Sequence, residues 1–275
     1  MERARPRRSV LFMPGSNARA LEKVHGLGCD VAALDLEDAV TPEAKQAARE
    51  AVCAAIPGFA EKEIFVRINA LSTPWGEEDL KAVAQADPDA IILPKVETAA
   101  DIGEVREFED GLNIWAMIET PAAVLNAAAI AAQADGLILG SNDLLKAMGA
   151  RAMAARENLW TAMSLVVLAA RAAGIPVIDG TYNDIGDMAG LAGACAQGRD
   201  FGFDGKTLIH PSQIETANNV FSPSEAEISA ARAVQAAFAL NPDKSVIALN
   251  GQMLERLHAE DAARILALAK AIQKQ

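Results

Sequence analysis

Short apolar runs rich in Val, Ile and Leu recur along the chain, separated by longer Ala-rich stretches with helical spacing of their apolar positions. Strands buried on both faces read as continuous apolar runs, and amphipathic helices repeat every 3.6 residues, so the alternation predicts parallel strands covered by helices. Strands are expected at Ser9–Met13, Val31–Leu34, Ile64–Ile68, Ala90–Leu93, Ile114–Ile118, Gly136–Leu139, Pro176–Ile178 and Gly205–Ile209. Helices are expected at Ala18–Leu27, Pro42–Ala55, Glu77–Gln85, Ala99–Glu109, Ala122–Gln133, Asn158–Ala173, Asp184–Gln197 and Pro211–Val220. Thr41-Pro42 and Thr120-Pro121 place a capping hydroxyl before a proline at the first helical position. Eight such units in roughly 210 residues match the economy of a closed (β/α)8 TIM barrel. The rival is an open doubly wound sheet, but no G-x-G-x-x-G follows the first strand.

Beyond the eighth unit the pattern gives a helix over Pro223–Ala239, a turn at Asn241-Pro242-Asp243, a short apolar run at Val246–Leu249 and a final helix from about Gln252. The expected organisation is a catalytic barrel over residues 1–221 and a C-terminal helical extension over 222–275. The extension either caps its own barrel or reaches a neighbouring subunit.

Hydrophobic residues make up 51% and charged residues 23% of the chain, as in an ordinary packed protein and unlike a disordered one. A net charge of -12 argues against a nucleic-acid backbone as partner. The basic cluster Arg3, Arg5, Arg7 and Arg8 suits either a polyphosphate ligand or a solvated N-terminal arm, and the arm is the reading taken for Arg3 and Arg5. Cys29, Cys53 and Cys195 are odd in number and contain no CxxC pair, so neither a disulfide framework nor a thiolate zinc site is suggested, and a reducing cytoplasm is the expected location. No uncharged apolar run reaches the ~20 residues that span a bilayer, and Val10–Met13 is too short for a signal-peptide core. No membrane partner is expected.

In such barrels the chemistry sits at the carboxyl ends of the strands. There the sequence places Asp35-Leu36-Glu37-Asp38, Arg67 and Asn69, Pro94-Lys95, Glu119, Ser141-Asn142-Asp143, Asp179 and His210. Helix N-termini attract acids as caps, which accounts for Asp38 or Asp143 singly, but the same dipole disfavours a cation such as Arg67. Adjacent strands lie ~4.8 Å apart, so Glu119 and Asp143 can converge on one metal. Two carboxylate ligands, with other positions left to water and substrate, is the habit of Mg²⁺. Zinc fits poorly, because His25, His210 and His258 are far apart in sequence.

Asp35, Glu37 and Asp38 suit either a second metal or, as preferred for Glu37 and Asp38, the orientation of metal-bound water. Lys95 is either a Schiff-base lysine or the partner of neighbouring carboxylates.

With these residues in view, the chain resembles the citrate lyase β-subunit family, also called the HpcH/HpaI aldolase group, whose relatives include malyl-CoA lyases. The resemblance runs through Arg8-Ser9-Val10-Leu11-Phe12-Met13-Pro14-Gly15, Asp35-Leu36-Glu37-Asp38-Ala39-Val40, Val66-Arg67-Ile68-Asn69 and Leu93-Pro94-Lys95. It continues through Ile118-Glu119-Thr120, Gly140-Ser141-Asn142-Asp143-Leu144, Gly202-Phe203-Asp204-Gly205-Lys206 and Ile209-His210-Pro211-Ser212-Gln213. It implies a barrel that is commonly a trimer, with Mg²⁺ on Glu119 and Asp143 and Arg67 against the oxygen that becomes enolate-like. Substrate contacts are then expected from Arg8, Arg67, Asn69, Lys95 and Glu119. The implied substrate is a thioester of coenzyme A or of an acyl-carrier protein, such as citryl-CoA or malyl-CoA. The implied reaction is carbon–carbon cleavage to an acetyl thioester and an α-keto acid.

The tail departs from the family pattern. Relatives that cleave malyl- or citryl-CoA carry a glycine, a lysine, an apolar pair, then aspartate and alanine-proline, with the aspartate acting as acid/base across a subunit boundary. Here Gly251-Gln252-Met253-Leu254-Glu255-Arg256-Leu257 puts Glu255 in that place. Glu255 is either the acid/base group or an exposed helix residue. The departure keeps two alternatives open: a thioesterase using the same metal site, and a carrier-dependent subunit of a larger lyase assembly.

Overall fold

A computed structural model of the chain describes residues 5–59, 62–109 and 111–274. Strands β1 (Ser9–Pro14), β2 (Val31–Asp35), β3 (Glu63–Arg67), β4 (Ala90–Leu93), β5 (Ile114–Ile118), β6 (Gly136–Leu139), β7 (Val177–Asp179) and β8 (Gly205–Leu208) pair in order, and β8 pairs with β1 to close the barrel. Every one of these pairings is parallel. The (β/α)8 fold expected from the apolar runs is therefore the fold of the chain.

The connecting helices are α1 (Ala18–Lys23), α2 (Lys45–Ala55), α3 (Gly76–Ala86), α4 (Ala99–Phe108), α5 (Pro121–Leu125), α6 (Ala127–Ala131), α7 (Ser141–Ala147), α8 (Trp160–Ala173), α9 (Met188–Phe201) and α10 (Ile214–Phe221). Three details differ from the sequence expectation. The single helix expected over Ala122–Gln133 breaks at Asn126, whose side chain donates to the Glu97 carbonyl at 2.9 Å. Helix α9 starts at Met188 rather than Asp184, because Asp187 caps it by accepting from the Gly190 amide at 2.8 Å. Helix α7, seven residues long and too short to show a period, was not anticipated.

Side chains alternate across a strand with period two. Val10, Val31, Ala33, Phe65, Ala90, Ile92, Trp115, Met117, Ile138 and Ile178 meet as one buried cluster inside the barrel. On the same inward parity, Asp35 follows Ala33 and Arg67 follows Phe65 towards the carboxyl end. Opposite parity sends Asp179 and Lys206 outward. There Asp179, fully buried, accepts from Lys206 Nζ at 2.7 Å and Arg156 Nη1 at 2.8 Å. Arg156 also donates to Gln197 Oε1 and to the Ala194 carbonyl, so the paired charges bind α9 to the segment before α8. Asp179 is thus not part of the mouth.

The amino end of the barrel is closed by two ion pairs. Arg7 binds Glu63 at 2.7 Å and lies over the Trp115 ring, and Arg8 makes a bidentate pair with Asp30 at 2.7 and 2.8 Å. The Arg8 side chain is thus buried at the end of the barrel away from the strand carboxyl termini, apart from the other expected site residues. Arg3 lies outside the described residues.

The barrel unit spans Arg7–Asn218, and residues 219–274, with residues 5 and 6, form a second unit. The second unit contains α11 (Glu225–Ala239), β9 (Val246–Leu249), β10 (Gln252–Glu255) and α12 (Arg256–Ile272). It is not wholly helical. Asn250 and Gly251 have φ of 51° and 79°, the left-handed pair of a type I′ turn, and β10 folds back antiparallel on β9. Phe238, Ile247 and Leu254 form its small core. Among the described residues no helix is long and apolar enough to cross a membrane.

Candidate active site

Arg67, the last residue of β3, is placed by its neighbour in register. Asp35 is the residue paired with it across β2 and β3, and its carboxylate takes Arg67 Nε and Nη2, both at 2.7 Å. This bidentate fork fixes the guanidinium plane and leaves Nη1 directed elsewhere. Nη1 lies 2.8 Å from Glu37 Oε2 and 3.5 Å from Asp38 Oδ2, while the guanidinium carbon sits 5.1 Å from the Phe12 ring centre. Burial withdraws solvation from the cation, but Asp35, Glu37 and Asp38 more than compensate, so its pKa is raised and the charge is permanent.

Asp35 also organises the acidic loop that follows it, accepting from the amides of Glu37 at 2.9 Å and Ala39 at 3.1 Å. Asp38 is exposed and Glu37 is buried. Glu37 Oε2 has its charge contact to Arg67 yet no aligned hydrogen bond. Burial, helped by Asp38 and Glu119 and opposed by Arg67 and Lys95, pushes the Glu37 carboxyl up to about 7.

Glu119 follows β5 and is fully buried. Its Oε1 accepts the Lys95 amide at 2.7 Å and the Lys95 ammonium at 3.3 Å, while Oε2 has no hydrogen-bond partner. Lys95 adopts φ 56°, a left-handed conformation that residues other than glycine rarely take, and this accompanies the hydrogen bond its backbone amide donates to Glu119. The same ammonium lies 3.1 Å from Asp143 Oδ1, in the first turn of α7. Glu119 and Asp143 therefore converge, as their strand-end positions suggested. Gly140 permits the approach, since a Cβ there would stand 2.3 Å from Glu119 Cβ.

Glu119 and Asp143 hold Lys95 as an ammonium, raising its pKa against the effect of burial. A Schiff-base lysine attacks as the free amine, so the geometry favours the ion-pair reading for Lys95.

These elements surround a cavity of about 350 Å³ at the carboxyl end of the barrel. Phe12, Met117, Leu139 and Ile209 give it apolar walls, and Asp38, Arg67, Asn142, Asp143 and Thr181 give it polar ones. Asn142 and Thr181 were not singled out as site residues by sequence reasoning. Asn142 Nδ2 donates to Thr181 Oγ1 at 3.3 Å and to Asn183 Oδ1 at 3.1 Å, joining the loops after β6 and β7.

Two other expected site residues are engaged elsewhere. Asn69 is 2% exposed, and its side chain bonds Lys45, the Leu36 carbonyl and Asp79. Glu255 lies in the second unit as the N-cap of α12, where its amide donates to His258 Nδ1 at 2.9 Å and its carboxylate completes a capping box. His210 caps the turn after β8 by accepting from the Ser212 amide.

Glu119 and Asp143 share one cationic partner, and one buried Glu119 oxygen has no hydrogen-bond donor. That donor set fits a hard divalent cation with oxygen ligands. Among the described residues no three His, Cys, Asp or Glu side chains converge as a metal cage.

The fold and mouth together are those of a (β/α)8 barrel with polar and charged side chains gathered at the carboxyl ends of its strands. The chain belongs to the HpcH/HpaI aldolase/citrate lyase family, whose model matches residues 8–211. It is 46% identical to a (3S)-malyl-CoA thioesterase of Cereibacter sphaeroides, over 98% of this chain and 96% of that protein. It is 37% identical to the citrate lyase subunit beta of Leuconostoc mesenteroides subsp. cremoris, again over 98% of this chain and 96% of the relative. Among solved structures, the CitE protein of Mycobacterium tuberculosis in complex with magnesium, acetoacetate and coenzyme A matches with a TM-score of 0.83 and 31% identity, covering 98% of this chain and 99% of that one.

Proposed function

We propose that the chain is a Mg²⁺-dependent enzyme that hydrolyses a short 3-hydroxyacyl thioester of coenzyme A, of the (3S)-malyl-CoA type. The observation that carries this reading is the cavity lined by both Arg67 and Asp143, with Asp143 and Glu119 drawn together on one ammonium. Glu119 and Asp143 would hold the metal. When bound, Mg²⁺ would supply a positive centre that offsets the negative charge of the acyl group's carboxylate. A cavity of about 350 Å³ suits the small acid.

Arg67 Nη1 donates to the thioester oxygen and stabilises the negative charge that develops there, an effect typically worth ~3–4 kcal/mol per well-placed donor. Glu37, with a carboxyl near neutrality, accepts a proton from water as the water oxygen bonds to the thioester carbon. The carbon–sulfur bond then breaks, and the sulfur departs with the proton that Glu37 returns. Malate and free coenzyme A are the products.

The expectation from sequence put carbon–carbon cleavage first. Hydrolysis moves ahead because the relatives at 46% identity are named thioesterases, and because Glu255 stands where the lyase pattern has aspartate. Cleavage to an acetyl thioester and an α-keto acid remains the second reading, supported by the family model and by the citrate lyase relatives. An acyl-carrier protein is the alternative to coenzyme A as carrier under the second reading, and a homotrimer is the proposed assembly.

The test is product analysis of malyl-CoA and citryl-CoA incubated with the protein and Mg²⁺. Free thiol with malate supports hydrolysis. Acetyl-CoA with glyoxylate or oxaloacetate supports cleavage, and neither product, with an acyl-carrier partner copurifying, supports the subunit reading.

A further inference from the structure

Behind the acidic loop, on the side away from the cavity, lies a buried lysine that no expectation included. Lys45 opens α2, is 6% exposed, and lays its ammonium 5.3 Å from the centre of the Trp75 ring. An ammonium has three protons to donate. Here all three have acceptors: the Leu36 carbonyl at 2.8 Å, the Glu37 carbonyl at 2.7 Å and Asn69 Oδ1 at 2.7 Å.

The two carbonyls belong to the peptide groups on either side of Glu37. Its amide is held from the other side by Asp35 Oδ1. The Leu36 carbonyl takes a second bond from Asn69 Nδ2 at 2.9 Å, and the Leu36 amide donates to the Arg67 carbonyl at 2.9 Å. Asn69 is itself fixed by Asp79, which accepts its backbone amide and side chain and is paired with Arg49 on α2 at 3.0 Å. A chain of bonds therefore runs from α2 through α3 to the loop that carries Glu37 and Asp38 beside Arg67. Burial lowers the Lys45 pKa, and the nearby charges of Asp35, Glu37, Asp79 and Asp38 oppose that, so the cation in turn offsets their mutual repulsion.

We propose that Lys45 is a positioning residue that fixes both peptide planes flanking Glu37 and so holds the Glu37 carboxylate against Arg67 Nη1. The catalytic part of this inference rests on the hydrolase reading above; the positional part does not. Lys45 touches no substrate and acts through Glu37. Displacements of ~1 Å in a reacting group can cost 10²-fold in rate, so loss of the anchor reaches catalysis without a change in the cavity walls.

Lys45→Met keeps an unbranched apolar side chain of similar length and removes the three donors. We expect kcat to fall tenfold or more with KM within twofold. In a Glu37→Gln background the same substitution should cost less than twofold, because neighbours that act as a unit are non-additive. Amide hydrogen exchange supplies a readout independent of turnover: Glu37 and Ala39 should lose at least tenfold protection in Lys45→Met while Val66 of β3 keeps its own. An equal loss of kcat in both backgrounds, or unchanged protection at Glu37 and Ala39, overturns the proposal. Should Lys45→Met not fold, Asn69→Ala removes one acceptor and one of the Leu36 donors, and the same two comparisons apply. If the unaltered protein turns over no thioester, the functional reading fails and the exchange comparison still decides the positional claim.

Discussion

Replacing Arg67 separates two quantities that the site combines. In Arg67→Met the apolar stem remains, but Asp35, 1% exposed, loses both of its charge-assisted bonds at 2.7 Å. Stranding one partner of a buried ion pair typically costs about 3–5 kcal/mol of folding stability. Asp35 keeps the amides of Glu37 and Ala39, which places the expected loss at the lower end, about 3 kcal/mol. Turnover should fall independently by ~10²–10³, the usual effect of removing one donor to a developing oxyanion. Adding Asp35→Asn removes the stranded charge and should recover much of the stability while leaving turnover low. Urea unfolding measures the first quantity and thiol release from the thioester the second. Mn²⁺ affinity should change less than threefold in both variants, because Glu119 and Asp143 are untouched. Near-normal turnover in Arg67→Met, or turnover restored by Asp35→Asn, refutes the role assigned to the guanidinium.

Other consequences follow from individual contacts. Gly140→Ala drives a methyl group to 2.3 Å from Glu119 Cβ, so Mn²⁺ affinity should drop at least tenfold and stability by about 1–3 kcal/mol; unchanged affinity means that Gly140 does not set the Glu119 position. Glu37 keeps its proton in the folded state to about pH 7, above its unfolded value of 4.5, so its stabilising contribution is complete below pH 4.5 and is lost as pH rises to about 7. In EDTA the loss over that window should be about 3 kcal/mol by urea unfolding, and Glu37→Gln should flatten it; an unaltered profile in that variant removes Glu37 as its source. Glu255→Ala should lower stability by ~1 kcal/mol through loss of the α12 cap. A more than tenfold fall in its turnover with stability intact would instead return Glu255 to the acid/base role.

The barrel was legible because its strands are apolar on both faces, so each read as an uninterrupted run between polar strand ends. What the runs alone did not reveal was parity. Asp179 and Arg67 both follow strand-like sequence, yet one faces α9 and the other the cavity, and only the register of Ile178 and Phe65 within the interior cluster separates them. Arg8 stood in a motif with the right neighbours but at the amino end of β1, where Asp30 claims it. The Asn250-Gly251 pair carried a clear hairpin signal, overlooked because the residues after it suit a helix as well as a strand. Lys45 gave no local sign at all: its importance comes from carbonyls that share no sequence pattern with it.

The central claim is that Glu119 and Asp143 form one divalent-cation site at the mouth of the barrel. Titration of Mn²⁺ into the protein, followed by electron paramagnetic resonance, tests it most directly when repeated on Glu119→Gln and Asp143→Asn. One site per chain is expected, competed by Mg²⁺, with affinity reduced at least tenfold in each variant. Wild-type affinity in both variants would contradict it.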